Sequence, residues 1–598
     1  MPNPQSVPTR PWLLIGSAFL TALLTSPFIS HAQVPDEEEP AQSSAQTILF
    51  GPKSTVHGIV RNGATGEPLP RALVRINGDA TTGALTDGDG RFEIPNVPSG
   101  PQEFQITKPG FLDQAQAGAE GVWEDPRSYA RNVIVAADMP DLVFTMSPVN
   151  SIHGQIQLST GDPAQSIAVT LLKRTIQDGR VVWQSASNTR TNSEGIYRFG
   201  ALANGSYAIY TEPAMDSEAA TTLVETGSGV HVPLYGFPSA FYPDSRDLAG
   251  AAKIRLAGGE QSQANISLTL EPFHPVSAVV TFPGSTRVAN PSQDQSGLNV
   301  SIQVMDSLGH QLSYVAQYDQ STQTAQALLP DGTYSFVATA ASPRVFVAAA
   351  FGAPPSAQMS AALTGQVDFA VAGRPVSNLR LPVAVSHAAP VQVSVLHGAS
   401  SSSTQGRSEV FLTLSQTGAW INDGMVMSLA QGNSDDTLKS SFVTPGTYWA
   451  HTAIAQKGLC ESSFTAGGAS LAREPLLLGM SGAGTQLNLA LRDDCATLNL
   501  SLPPTVASLT AGEEPFYTVF VVPDFDSTVD VVPQTLRPST GAKISLSGLT
   551  PGNYHIYTFN RPAALEYRNP SALAGLAGQP VTLSPGSTSD LTLEVAQH

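Results

Sequence analysis

Residues 202–210 read LANGSYAIY, and the same device returns as LPDGTYSFV (329–337), VTPGTYWA (443–450) and LTPGNYHIY (549–557). Each copy is a short loop, a Gly, one residue, a Tyr and then alternating apolar residues. A degenerate fifth copy, VPSGPQEFQI (97–106), carries Gln102 in the Tyr place. The Gly supplies a turn conformation that other residues resist. The Tyr then opens a strand with a large apolar ring, and its hydroxyl can cap a nearby loop, as the tyrosine corner does in immunoglobulin-like sandwiches. The five glycines are Gly100, Gly205, Gly332, Gly446 and Gly552. Their spacing of roughly 105–127 residues is too long for a solenoid unit and suits a domain.

A second pattern, a turn followed by a closing strand, comes after each variable loop. Examples are LAGGEQSQANISLTL (256–270), VAGRPVSNLRLPV (371–383) and LSPGSTSDLTLEV (583–595). Together the two patterns divide the chain into units at 54–148, 149–272, 273–386, 387–494 and 495–598. Within the first, Val56, Gly58 and Val60 share one strand face, Val74 and Ile76 another, and Phe92 and Ile94 point together. The expected fold is therefore all-β: tandem Greek-key β-sandwich domains with very little helix.

Composition agrees. The chain has 598 residues, more than one core can serve, and its 46 Pro and 51 Gly leave little room for long helices. Apolar residues at 41% exclude wholesale disorder. The net charge of −18, with no Lys/Arg cluster, argues against nucleic acid as a partner.

At the N-terminus, Arg10 ends a weakly basic region, and Trp12 to Leu24 is an apolar run of about thirteen residues, short for a bilayer span. Ser30-His31-Ala32 places small residues at the −3 and −1 positions. Residues 1–32 thus read as a signal peptide cleaved between Ala32 and Gln33, and 33–53, opening on Asp36-Glu37-Glu38-Glu39, as a flexible acidic leader. No later apolar run reaches membrane length, so no transmembrane segment is expected after cleavage. The location that follows is secreted, periplasmic or outer-membrane associated. Two cysteines in an exported chain, Cys460 and Cys495, suit one disulfide. Cys495 follows the closing strand of the fourth unit, and Cys460 lies a dozen residues after Tyr448, at or beyond the end of the Gly-x-Tyr strand.

Residues 55–112 resemble the carboxypeptidase regulatory-like domain, a transthyretin-type sandwich. The resemblance rests on Val56-x-Gly58-x-Val60, Gly66-Glu67-Pro68-Leu69, the strand Ala72 to Ile76, the turn from Thr86 to Phe92, and Pro109-Gly110-Phe111. Gln102 departs from the Tyr usual in that family. The second unit is a more diverged copy, with Ile152-His153-Gly154-Gln155-Ile156 at its start and Asn192-Ser193-Glu194-Gly195-Ile196-Tyr197 for the turn. What the resemblance implies is a non-catalytic accessory fold, of a kind often grouped with carbohydrate-binding-like sandwiches. Fold kinship alone does not establish sugar binding.

The search for chemistry returns little. None of the eleven His residues is followed by Glu or has Glu three positions on, so neither His-x-x-Glu nor His-Glu-x-x-His zinc ligation is present. No nucleophile elbow, phosphate loop or dinucleotide fingerprint occurs, and no cofactor is expected. Asp87 and Asp89, two apart on a Gly-rich loop, leave two readings open: Ca²⁺ ligands, or a hairpin turn lacking the distal Glu of an EF-hand. Tyr235, Phe237, Phe241 and Tyr242 also leave two: an exposed platform that stacks on sugar, or a satellite core beneath a loop. The expected function is that of an exported, non-catalytic structural, adhesive or interaction protein. Carbohydrate binding is the alternative, and the partner is a glycan or a cell-envelope protein.

Overall fold

The computed structural model describes residues 52–77, 82–113, 131–216, 234–282, 299–307, 311–341, 363–385, 390–396, 410–417, 425–428, 431–432, 437–439, 446–454, 458–478, 486–503, 515–538 and 542–594. The signal peptide, its cleavage point at Ala32 and Gln33, and all but the end of the acidic leader lie outside them. Among the described residues the regular secondary structure is almost entirely strand. The one helix among the described residues, Pro570–Leu573, is capped by Asn569, whose side chain accepts from the Ser571 amide at 3.2 Å.

The described strands form ten sheets, which pair around five large hydrophobic clusters. Each sandwich repeats one plan. Its opening strand lies parallel to its closing strand in one sheet, and its Gly-x-Tyr strand is central in the other. In the first, Lys53–Asn62 pairs in parallel with Leu142–Pro148, while Gly100–Thr107 runs between Leu73–Ile76 and Arg131–Val135. The other opening strands are Asn150–Leu158, Glu271–Thr281, Pro390–Leu396 and Ala496–Ser501. Their closing partners are Ile266–Leu268, Val376–Pro382, Leu487–Arg492 and Thr588–Thr592. Alternation places apolar side chains inward from both sheets. In the first core Phe144 stacks on Phe92 at 5.8 Å and tilts against Phe104 at 5.7 Å.

The Gly-x-Tyr strands, Gly100–Thr107, Gly205–Thr211, Gly332–Ala341, Gly446–Ile454 and Gly552–Phe559, all begin at the glycine. The glycine serves for two different reasons. Gly100 and Gly205 hold φ of 114° and 149°, where a side chain is strained. At Gly332 the Tyr334 ring folds back so closely that a Cβ would meet its Oη at 2.7 Å. The tyrosines are buried, and the Tyr207 and Tyr554 hydroxyls donate to the carbonyls four residues back, Ala203 at 2.8 Å and Thr550 at 2.6 Å. Gln102, the apparent departure, does the same: its Nε2 donates to Pro98 O at 3.1 Å, again four residues back.

Sandwiches two and three share a sheet. Leu234–Phe237, which leaves the second core, pairs with the opening strand Glu271–Thr281 of the third and with the short strand Ala214–Met215. The second sandwich also projects a long hairpin, Ala168–Gln177 and Arg180–Arg190, whose turn is Asp178-Gly179. Positive φ at both turn residues (49° and 72°) is what an Asp-Gly hairpin turn requires.

Candidate functional site

Asp87 is committed to its turn. Its Oδ1 accepts from the amides of Asp89 at 2.9 Å and Arg91 at 2.8 Å. In the second sandwich Asn192 occupies the same place, and its Oδ1 accepts from Glu194 at 3.0 Å and Ile196 at 2.8 Å. The preceding threonines match as well: Thr86 Oγ1 donates to Leu69 O and accepts from Ala72 N, as Thr191 does with Ala164 and Ile167. A neutral amide fills the role of the Asp87 carboxylate, so the geometry is that of a turn and does not call for a cation.

The aromatic group does not form a platform. Phe237 and Phe241 are 7% and 2% exposed and belong to two separate clusters, Phe241 against Tyr210 at 4.9 Å. Tyr242 packs on the second core, and Tyr235 alone is exposed. The Pro/Gly setting reads as a loop, but these residues lie in or beside short strands that close the second sandwich and join it to the third.

Cys460 and Cys495 are bonded, with Cα atoms 5.9 Å apart. Cys460 is not on the Gly-x-Tyr strand; it begins a separate strand, Cys460–Ala466, which pairs antiparallel with the closing strand Leu487–Arg492. The bond therefore ties the end of the fourth sandwich to the start of the fifth, at Ala496.

One buried polar cluster was not among the sequence candidates. It forms where the Asp178 hairpin of the second sandwich meets the fourth and fifth. On the fourth, the strand Gly446–Ile454 turns Trp449 and His451 away from its own core. The Arg180 guanidinium lies 3.6 Å from the Trp449 ring centroid and donates to Ala472 O at 3.1 Å. His451, 4% exposed, sits between two carboxylates: Nδ1 is 2.8 Å from Asp530 Oδ1, and Nε2 is 3.7 Å from Asp178 Oδ2. On the fifth, Arg568 donates from its backbone N to Gly179 O and from Nε to Asp178 O, at 3.2 and 3.0 Å, and its Nη2 lies 3.5 Å from Asp530. Arg174 and Glu566 form an ion pair further along the hairpin. Gly179 lies flat on Tyr567, where a Cβ would meet the ring at 2.7 Å.

Burial sets the electrostatics. It raises the Asp178 carboxyl above its ordinary range, with Asp530 adding to the rise. It also lowers Arg180 to about 10, with help from Arg568, and pushes Tyr567 up to about 12. Alongside, Glu461, 2% exposed, accepts from Thr528 N at 2.7 Å, from Thr528 Oγ1 at 2.6 Å and from Thr452, joining sandwich four to five.

Asp178, His451 and Asp530 place three ligand-type atoms within 4.8 Å of one another. The donor set does not suit a metal. Arg180 and Arg568 already supply positive charge beside the two carboxylates, which disfavours a cation there. What this arrangement does chemically is hold protein to protein. A separate cavity of about 650 Å³ lies between the second and third sandwiches, lined by Met215, Phe273, Pro275, Tyr314, Gln317, Gln326 and other uncharged residues.

Residues 55–135 match the family model of the carboxypeptidase regulatory-like domain. No curated protein matches the chain. Among solved structures it is similar to the TIE protein of Bacillus anthracis, at 10% identity over 93% of this chain and 76% of that one, with a TM-score of 0.16. It is similar as well to the minor pilin GBS52 of Streptococcus agalactiae, at 13% identity over 36% of this chain and 95% of that one, with a TM-score of 0.19. A further likeness is to a double mutant of the shaft pilin SpaA of Lactobacillus rhamnosus GG, at 9% identity over 37% of this chain and 98% of that one, with a TM-score of 0.18. Likenesses at these scores carry no functional argument.

Proposed function

We propose that this protein is an exported, non-catalytic scaffold: β-sandwich domains at 54–148, 149–272, 273–386, 387–494 and 495–598, acting as a structural, adhesive or interaction module at the cell envelope or outside it. The observation that carries this reading is where the buried polar groups go. His451, Glu461, Asp178 and Arg568 are used to hold sandwiches to one another, each facing protein partners on a neighbouring unit. A buried joint of this kind costs desolvation and returns geometry, which suits a mechanical or presenting role more than turnover.

Fractionation of the native host, with N-terminal sequencing, tests the reading. The expected result is a chain outside the cytoplasm that begins at Gln33. A cytoplasmic chain with Met1 intact overturns export, and chelator-sensitive release of C-terminal amino acids overturns the non-catalytic assignment.

Sugar binding, the second reading, would have to use the uncharged cavity beside Tyr314, where Gln317 and Gln326 offer amides to hydroxyl groups. The Tyr235 group supports it poorly, because two of its four rings are buried. A glycan array on the mature chain separates the readings: binding abolished by Gln326→Ala supports the sugar, and no binding leaves the scaffold.

A further inference from the structure

The hairpin tip could serve as fixed mortar or as something that opens, and the protonation chemistry around it decides between them. His451 has a carboxylate at each ring nitrogen, Asp530 at 2.8 Å and Asp178 at 3.7 Å. A neutral imidazole donates one proton only. With Nδ1–H given to Asp530, its Nε2 lone pair faces the Asp178 carboxylate, and two electron-rich groups meet in a buried place. One added proton, on Nε2 or on Asp178, turns that contact into a hydrogen bond. No other pair in the joint has this property. Arg174–Glu566 and Arg568–Asp530 each set a donor against an acceptor, and Arg180 stacks on Trp449, so two acceptors do not meet in these contacts.

We propose that the Asp178 hairpin is a proton-tightened latch: its docking against sandwiches four and five takes up one proton, shared between His451 and Asp178, so the joint closes as pH falls and loosens as pH rises.

The charged and titratable groups facing the pair are Asp530, Tyr567 and Arg568 from the fifth sandwich and Arg180 from the hairpin itself. Glu461 lies one residue away through Thr452. The direction follows from Asp178. Its carboxyl is raised in the docked state, by burial first and Asp530 second, while an undocked hairpin tip titrates in the ordinary range. The docked state therefore binds more protons. Docking gains strength as pH falls through the docked value, and gains nothing further once the undocked carboxyl is protonated too. The latch is independent of where the protein resides, so its failure and the failure of the export reading are separately visible.

Hydrogen exchange of the full chain tests it, followed at residues 176–183 and 566–569 between about pH 4, near the ordinary Asp range, and about pH 8, and corrected for intrinsic exchange rates. One linked proton changes an equilibrium by at most about tenfold per pH unit, so opening at the tip is expected to be roughly three- to tenfold rarer at the lower pH. Asp178→Asn is expected to give protection that no longer varies with pH, because the amide can donate to Nε2 at any pH. Gly179→Ala, which drives a Cβ into Tyr567, is expected to lose protection at both pH values while the sandwich cores stay protected. Equal protection of the native chain at the two pH values overturns the proposal. So does a pH dependence that survives in Asp178→Asn.

Discussion

At the scale of single residues, the same task is done in this chain by different side chains, and this is what lets roles be tested. Asp87 and Asn192 build one turn twice, each accepting two backbone amides through Oδ1. Asp87→Asn is therefore expected to change stability by less than about 0.5 kcal/mol, and Asp87→Ala, which loses both bonds, to cost about 1–2 kcal/mol. Denaturant unfolding measures both, and millimolar Ca²⁺ is expected to move neither. A Ca²⁺-dependent rise in stability that Asp87→Asn removes would restore the cation reading. Gln102 makes the complementary case. Its amide donates to Pro98 O and accepts from Asn77 at 2.7 Å, so Gln102→Ala is expected to destabilise the first sandwich by about 1–2 kcal/mol. In sequence Gln102 looked like a lost tyrosine; what had been kept was the bond to the fourth residue back, which an amide can also reach.

At the scale of elements, strands, turns and sandwiches were legible because their causes are local. Gly-x-Tyr, the Thr-Asx turns and period-two alternation each act within a few residues. The joint was not legible. Asp178-Gly179 between apolar runs is a readable hairpin signal, but what the tip meets is not, since Arg174 and Glu566 lie 392 residues apart and Arg180 and Ala472 lie 292 apart. The aromatic group left a platform and a satellite core open in sequence, and the burial of Phe237 and Phe241 answers to the core. Composition around Phe237 and Phe241 suggested a loop, and only the topology shows that they close cores. The cysteines fall between these cases. Their bonding was legible from their even count and the export expected from the N-terminus, but the strand that carries Cys460 was not. Closing a loop of 35 residues is worth about 4 kcal/mol in the chain-entropy account. Reduction is expected to lower the unfolding transition of the fourth sandwich and leave the first and second unchanged. Calorimetry with and without reductant checks this, and two reactive thiols in the denatured, unreduced chain would reject the bridge.

At the scale of the whole molecule, the repeated plan makes a chain of units whose ends are all fastened alike. Circular dichroism is expected to show strand with almost no helix, and a helical content above about one quarter would contradict the fold. The parallel pairing of opening and closing strands has a mechanical consequence. A pull on the two ends of a sandwich draws those strands past each other along their length, so the ladder between them, Gly58 to Asn62 against Leu142 to Met146 in the first, is loaded as a row in shear and does not unzip bond by bond. Each sandwich is therefore a clamp that yields abruptly under tension. In the fourth, the Cys460–Cys495 bond carries the load past the residues between them, so its rupture under oxidising conditions releases less chain than in its neighbours. With a sequence separation of 35 and about 3.3–3.6 Å per extended residue, the hidden length is roughly 120 Å, and reductant in a single-molecule stretching experiment is expected to return it.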